Sequence, residues 1–121
     1  MGYLAETRAE RAKYGKNGGA NFDAIKGMFK SLEDRKLEGR KPVFDFGEIG
    51  KYIEYSTKLS KPELIALVKY NYSEIHWGIM FNKTADLEVY AVLCRESEDV
   101  GVQIGAGERF IREKEKKGRQ R

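Results

Sequence analysis

The sequence predicts an α+β domain: a small antiparallel sheet of two to four strands, packed by two to three helices, with basic arms at both ends. Three observations carry that expectation. The runs EIHWGIMF at 74–81 and LEVYAVLCRE at 87–96 are rich in β-branched and aromatic residues and are joined by the polar NKTAD, which reads as a hairpin. Segments 22–37 and 61–71 carry apolar residues at helical spacing. A length of 121 residues suits one core with flanking arms rather than two marginal domains. The expected organisation is a basic flexible or helical arm at 1–20, a single domain at 21–111 and a basic tail at 112–121.

Taken in order, YLAETRAERAKY at 3–14 is made of strong helix formers with only Leu4 and two tyrosines as anchors, so it needs a partner surface to hold. GKNGG at 15–19 concentrates glycine and asparagine and reads as a flexible joint. Asn21 is placed to cap a helix whose Phe22, Ile25, Met28, Phe29 and Leu32 form one stripe, weakened by Gly27 by about 1 kcal/mol relative to alanine. Gly39 and Pro42 end that helix. VFDFGEIGKYIEY at 43–55 first alternates as a strand does and then places Phe46, Ile49, Tyr52 and Ile53 on a helix face, which predicts a short strand leading into a short helix.

Ser60 and Glu63 form a capping box, with Pro62 in the first turn and Leu64, Ile65, Leu67 and Val68 as the buried face. This stretch, LSKPELIALVKY at 59–70, resembles the first helix of helix-extended-helix nucleic-acid modules of the SAP type. The resemblance covers that one helix, and the strand expected at 74–81 stands where such modules have their second helix, so no residue role follows from it. After the hairpin, DVGVQI at 99–104 alternates as a third strand, GAG at 105–107 breaks the chain, and Phe110 and Ile111 anchor a final helix. Within that helix Glu108 is spaced to pair with Arg112, and Glu113 with Lys117.

Leucine, isoleucine, valine and phenylalanine make up 28 of the 121 residues, above the level of roughly 20 percent below which disorder is expected. A folded body follows. The net charge of +4 is unevenly laid out: residues 1–41 carry ten basic and six acidic side chains, 42–108 six and eleven, and 109–121 seven and two. An acidic body is thus flanked by basic segments, and clustered cations attract a polyanion over about a Debye length. No window approaches the ~18 apolar residues of a membrane span, the first residues lack a signal-type apolar stretch, and Glu6 stands where a myristoylation motif needs Ser or Thr. A lone Cys94 forms no internal disulfide, and a cytoplasmic setting is expected.

Catalytic chemistry finds few residues to use. One histidine and one cysteine exclude a zinc site of four His/Cys ligands within a single chain. His76 and Cys94 fall on adjacent expected strands, yet Cys94 between Leu93 and Arg95 reads as a core residue and His76 beside Trp77 as a structural hydrogen-bonding group. Gly101, Gly105 and Gly107 lack the spacing of a phosphate-binding loop. Asp45, Glu48, Asp86, Glu88, Glu96, Glu98 and Asp99 lie mostly at turns, where solvated acids are ordinary. No cofactor or metal is expected, and the function expected is non-catalytic.

The remaining constellation is cationic. The candidate nucleic-acid contacts are Arg8, Arg11, Lys13 and Lys16 in the first arm, Arg40 and Lys41 (with Arg35 and Lys36 nearby) at the junction, and Arg109, Arg112, Lys114, Lys116, Lys117, Arg119 and Arg121 in the tail. Phosphate neutralisation by such residues releases counterions whatever the base sequence, and tyrosines or Trp77 add stacking where exposed. Nucleic acid is therefore the preferred partner. A protein partner is the alternative, as for a small phage-type inhibitor or a structural subunit, because the eleven carboxylates of 42–108 suit a basic cleft.

Overall fold

The computed structural model describes residues 2–119, and the side-chain surroundings of residues 8–118. It contains seven α-helices: α1 (Gly2–Tyr14), α2 (Phe22–Leu37), α3 (Phe46–Tyr55), α4 (Lys61–Leu67), α5 (Ser73–Phe81), α6 (Leu87–Glu96) and α7 (Val100–Arg119), with a single 3-10 turn at Lys16–Gly18. There is no strand among the described residues. The expected antiparallel sheet is therefore wrong: both arms of the supposed hairpin are helices, the third strand is the first turn of α7, and residues 43–45 only lead into α3.

The physical reason lies in burial. In α5 the residues Ile75, His76, Gly78, Ile79 and Met80 are all buried, so the helix is apolar nearly all round and leaves no amphipathic period in the sequence. A short run of that kind looks the same whether a strand or a helix buries it. In α6 the buried pair Val89 and Leu93 is four residues apart, which is a helical spacing. The decisive local signals are the caps. Asp45 accepts a hydrogen bond from the Glu48 amide at 2.7 Å, Asp86 from the Glu88 amide at 3.1 Å, and Asp99 from the Val102 amide at 3.2 Å. Each satisfies one of the amides that a helix start leaves unpaired. The acids read as solvated turn residues are helix starts. Asn21 and the Ser60–Glu63 capping box act as the sequence predicts, as does the stripe of Ile25, Phe29 and Leu32 in α2.

Glycine sets the closest approach in the fold. The most extensive helix contact is between α3 and α5, and they cross backbone to backbone at Gly50 and Gly78. A Cβ on Gly50 would overlap the Glu74 carbonyl oxygen, and one on Gly78 would overlap the Gly50 carbonyl oxygen. The expected break at GAG does not occur, because residues 105–107 lie inside α7. Gly105 there leaves room for Met80, whose methyl carbon would stand 3.1 Å from a Cβ at that position. α7 packs on α6 and α5, α2 and α1 pack on α3, and α4 lies against α6 and α5.

Asn82 ends α5 and fixes the chain on either side of itself. Its buried amide donates to the Ile53 carbonyl at 2.7 Å and the Ser56 carbonyl at 2.9 Å, while its oxygen accepts from the Thr84 amide at 2.8 Å. The carbonyls at the end of α3 are tied to the end of α5 in this way, and Phe81 and Lys83 are held next to the α3 terminus. No helix among the described residues is long and apolar enough to cross a membrane.

Candidate functional site

The segment read as an N-terminal arm lies on the body. Glu10 on α1 accepts a 2.7 Å hydrogen bond from the Tyr55 hydroxyl and stands 3.3 Å from the Lys51 ammonium. Tyr14 meets Tyr52 edge to face at 4.8 Å. The glycine-rich joint is an ordered turn: Asn17, Gly18 and Gly19 have φ of 57°, 87° and 85°, and the Gly18 carbonyl accepts from the Thr57 amide at 2.8 Å. Two of these three left-handed positions are glycines, which enter that region without a Cβ penalty. A Cβ on Gly19 would also stand only 2.8 Å from the Ser56 Cα.

This docking creates a cleft of about 650 Å³ between the end of α1, the end of α3 and the turn after α5. Its walls include Arg11, Lys51, Tyr55, Thr57, Phe81 and Lys83, with Glu10 and Glu54 at the base of the charge pattern. Lys51 is taken by those two acids, at 3.3 and 3.7 Å. Arg11 and Lys83 have no carboxylate partner among the described residues. Phe81 is 44% exposed, and the Arg109 guanidinium carbon lies 5.1 Å from its ring centroid. The first cation of the C-terminal set thus stands beside an aromatic ring that shares a cleft with a cation of the N-terminal set.

The Tyr55 hydroxyl holds the Glu10 carboxyl below the usual carboxylate range; burial opposes this, and Lys51 adds to the lowering. Burial, reinforced by the bond to Glu10, pushes Tyr55 above the usual phenol range. A carboxylate lowered on folding contributes stability that is complete above its unfolded pKa of about 4.3 and is lost as pH falls through the lower folded value. Glu10→Gln is therefore expected to lower the urea midpoint at pH 7, with the gap to the parent protein closing as pH is taken below about 4. An unchanged gap at low pH would show that the Glu10 charge is not what ties α1 down.

The other cations predicted from sequence are distributed as follows. Arg8, Lys16 and Lys41 are exposed, with no ion-pair partner among the described residues. Lys13 lies 3.9 Å from Glu48 and over the Tyr14 ring. Arg40 is bound to Glu38 at 2.6 Å and Arg35 donates to the Lys41 carbonyl, so the junction set is partly spent on its own segment. Arg109 is half-buried, whereas Arg112, Lys114, Lys116 and Lys117 are exposed on the last turns of α7. Glu113 pairs with Lys116 at 3.7 Å, where the spacing had suggested Lys117, and the pair expected between Glu108 and Arg112 is not formed. Arg119 closes α7, and Arg121 lies outside the described residues. Phe81 and Lys83 were missed in the sequence because both belonged to the supposed hairpin; the signal for them was the helix cap at Asp86, which makes 82–85 a turn between helices.

The His–Cys pairing fails on geometry. His76 is fully buried, and both ring nitrogens are occupied. A carbonyl only accepts, so Nε2 must donate to the Val68 carbonyl at 2.9 Å, while Nδ1 is hydrogen-bonded to the Ser97 hydroxyl at 2.8 Å. Ser97 in turn accepts from the Asp99 amide at 3.2 Å. Cys94, expected in the core, is exposed on α6. Asp99 also binds Ser73 and the Trp77 indole, so it links the starts of α5 and α7. The SAP-like stretch does continue into a second helix, but that helix, α5, is the buried centre of the fold and offers little surface to a nucleic acid.

Comparison of this chain with protein-family models, curated proteins and solved structures returns no match, and the functional reading rests on its own residues.

Proposed function

We propose that this chain is a non-catalytic nucleic-acid-binding protein that works by charge neutralisation rather than base readout. The observation that carries the reading is a pair of cationic surfaces: the exposed Arg112, Lys114 and Lys117 on α7, and Arg11 with Lys83 beside Phe81 in the cleft. None of these five has a carboxylate partner among the described residues. Cations left unpaired on an exposed helix are available to phosphates, and an exposed ring flanked by cations accepts a base without regard to its identity. Catalysis has no comparable support, since the single histidine is committed to structural hydrogen bonds.

The expected behaviour is micromolar binding of a labelled oligonucleotide, read by fluorescence anisotropy. The logarithm of affinity should fall linearly with the logarithm of salt concentration. Replacing Arg112, Lys114 and Lys117 together by alanine should weaken binding at low salt and reduce the slope by about 0.7–0.9 for each phosphate contact removed. Absence of binding, or binding indifferent to salt, overturns the proposal.

A further inference from the structure

We propose that the face formed by α6 and α7 pairs with the same face of a second copy of this chain. The starting point is α7, which has two apolar lines. Val102 and Ala106 are fully buried against the body, whereas Val100, Ile104 and Ile111 are 64%, 59% and 59% exposed. At 3.6 residues per turn those three fall within about 40° of one another, so they form a single ridge. Three large aliphatic side chains in line on the solvent side of a helix are an unpartnered surface rather than scattered exposure.

Beside the ridge runs a shallow apolar groove of about 250 Å³, lined by Ala91, Cys94 and Arg95 of α6 and by Gly107 and Phe110 of α7. Gly107 forms the floor next to Cys94, whose sulfur would stand 3.8 Å from a Cβ at that position. A ridge and a groove lying side by side on one surface are self-complementary under a two-fold rotation, which seats each ridge in the other copy's groove.

The charges flanking this surface match under the same rotation. The far flank of the ridge carries exposed Glu108, and the far rim of the groove carries exposed Arg95, whose ion-pair partner is the adjacent Glu96 at 3.6 Å. Rotation brings Glu108 of one copy against Arg95 of the other, on both sides of the axis. The occupant is thus a second copy rather than an unrelated peptide, because acid and base stand at the two opposite edges of one apolar patch. The residues that carry this inference are not those of the nucleic-acid reading, although the two surfaces meet where the Lys114 ammonium lies 5.9 Å from the ring centroid of the groove residue Phe110.

Sedimentation equilibrium tests it. The mass of the parent chain should rise from 13.9 kDa toward twice that value as concentration passes from low micromolar to a few hundred micromolar. Ile104→Glu and Ile111→Glu should each remain at the monomer mass throughout, with helical circular dichroism unchanged, since both positions are exposed. Arg95→Glu and Glu108→Arg should each weaken association about tenfold, and the double swap should restore it. Modification of Cys94 by a thiol reagent should slow several-fold as the parent chain is concentrated. A monomer mass at every concentration overturns the proposal, and so does a double swap that fails to restore association.

Discussion

Replacing Gly78 with alanine is expected to cost at least about 4 kcal/mol, a large share of the roughly 5–15 kcal/mol that holds a domain folded, read as a fall in the urea midpoint followed by circular dichroism. The new methyl group would overlap the Gly50 carbonyl oxygen, and that oxygen belongs to the backbone of a packed helix with no rotamer to escape into. Relief requires separating α3 from α5, the largest helix contact in the molecule, and with it the buried side chains Ile49, Ile53, Ile75 and Ile79. Overpacking in a close-packed interior is costly for this reason. Gly27→Ala is the internal contrast. That glycine lies in α2 with nothing within 4 Å of the added methyl, and the substitution should raise stability by about 0.5–1 kcal/mol through helix propensity. Opposite signs for one chemical change at two helical glycines separate backbone contact from propensity; equal effects would refute the crossing.

His76→Ala is expected to destabilise by about 3–5 kcal/mol, measured as a shift in the urea midpoint with little change in slope. The substitution empties a fully buried site and strips the Val68 carbonyl and Ser97 hydroxyl of their partner at once. Those two groups belong to the end of α4 and to the turn before α7, so His76 joins the segments on either side of α5 through one planar ring. Cys94→Ala, on the exposed surface of α6, should leave the midpoint within about 0.5 kcal/mol of the parent. A catalytic His–Cys pair would require both substitutions to spare the fold; loss of stability in the first alone confirms a structural role for His76.

Much of the local plan is written plainly in the residues. Asn21, the Ser60–Glu63 box and the spacing of Ile25, Phe29 and Leu32 each announce a helix, and each does its announced work. Asp45, Asp86 and Asp99 are equally legible as caps, and the last two stand at the start of runs that β-rich composition or alternation had suggested were strands. Cap chemistry outranks composition in these runs because the cap is a specific hydrogen bond to a helix amide, while β-branched and aromatic content reports only fitness for a half-buried surface. The candidate site was legible in its charges and not in its place. Arg11 and Arg109 stand 98 positions apart in sequence, and only the docking of α1 through Glu10 and Tyr55 brings the first near the Phe81 ring that carries the second.

By itself the sequence determined a folded body with an acidic middle and basic ends, the absence of cysteine or histidine sets for a four-ligand zinc site, and the capped starts of α2 and α4, because composition and caps act over a few residues. Tertiary structure alone decided that EIHWGIMF is a helix. A segment buried on every side shows no polar face, so its period is hidden until the surfaces around it are known. The same holds for Gly50 and Gly78, whose missing side chains matter only because two helices cross there, and for Glu10, whose charge becomes an anchor once Tyr55 and Lys51 are placed beside it.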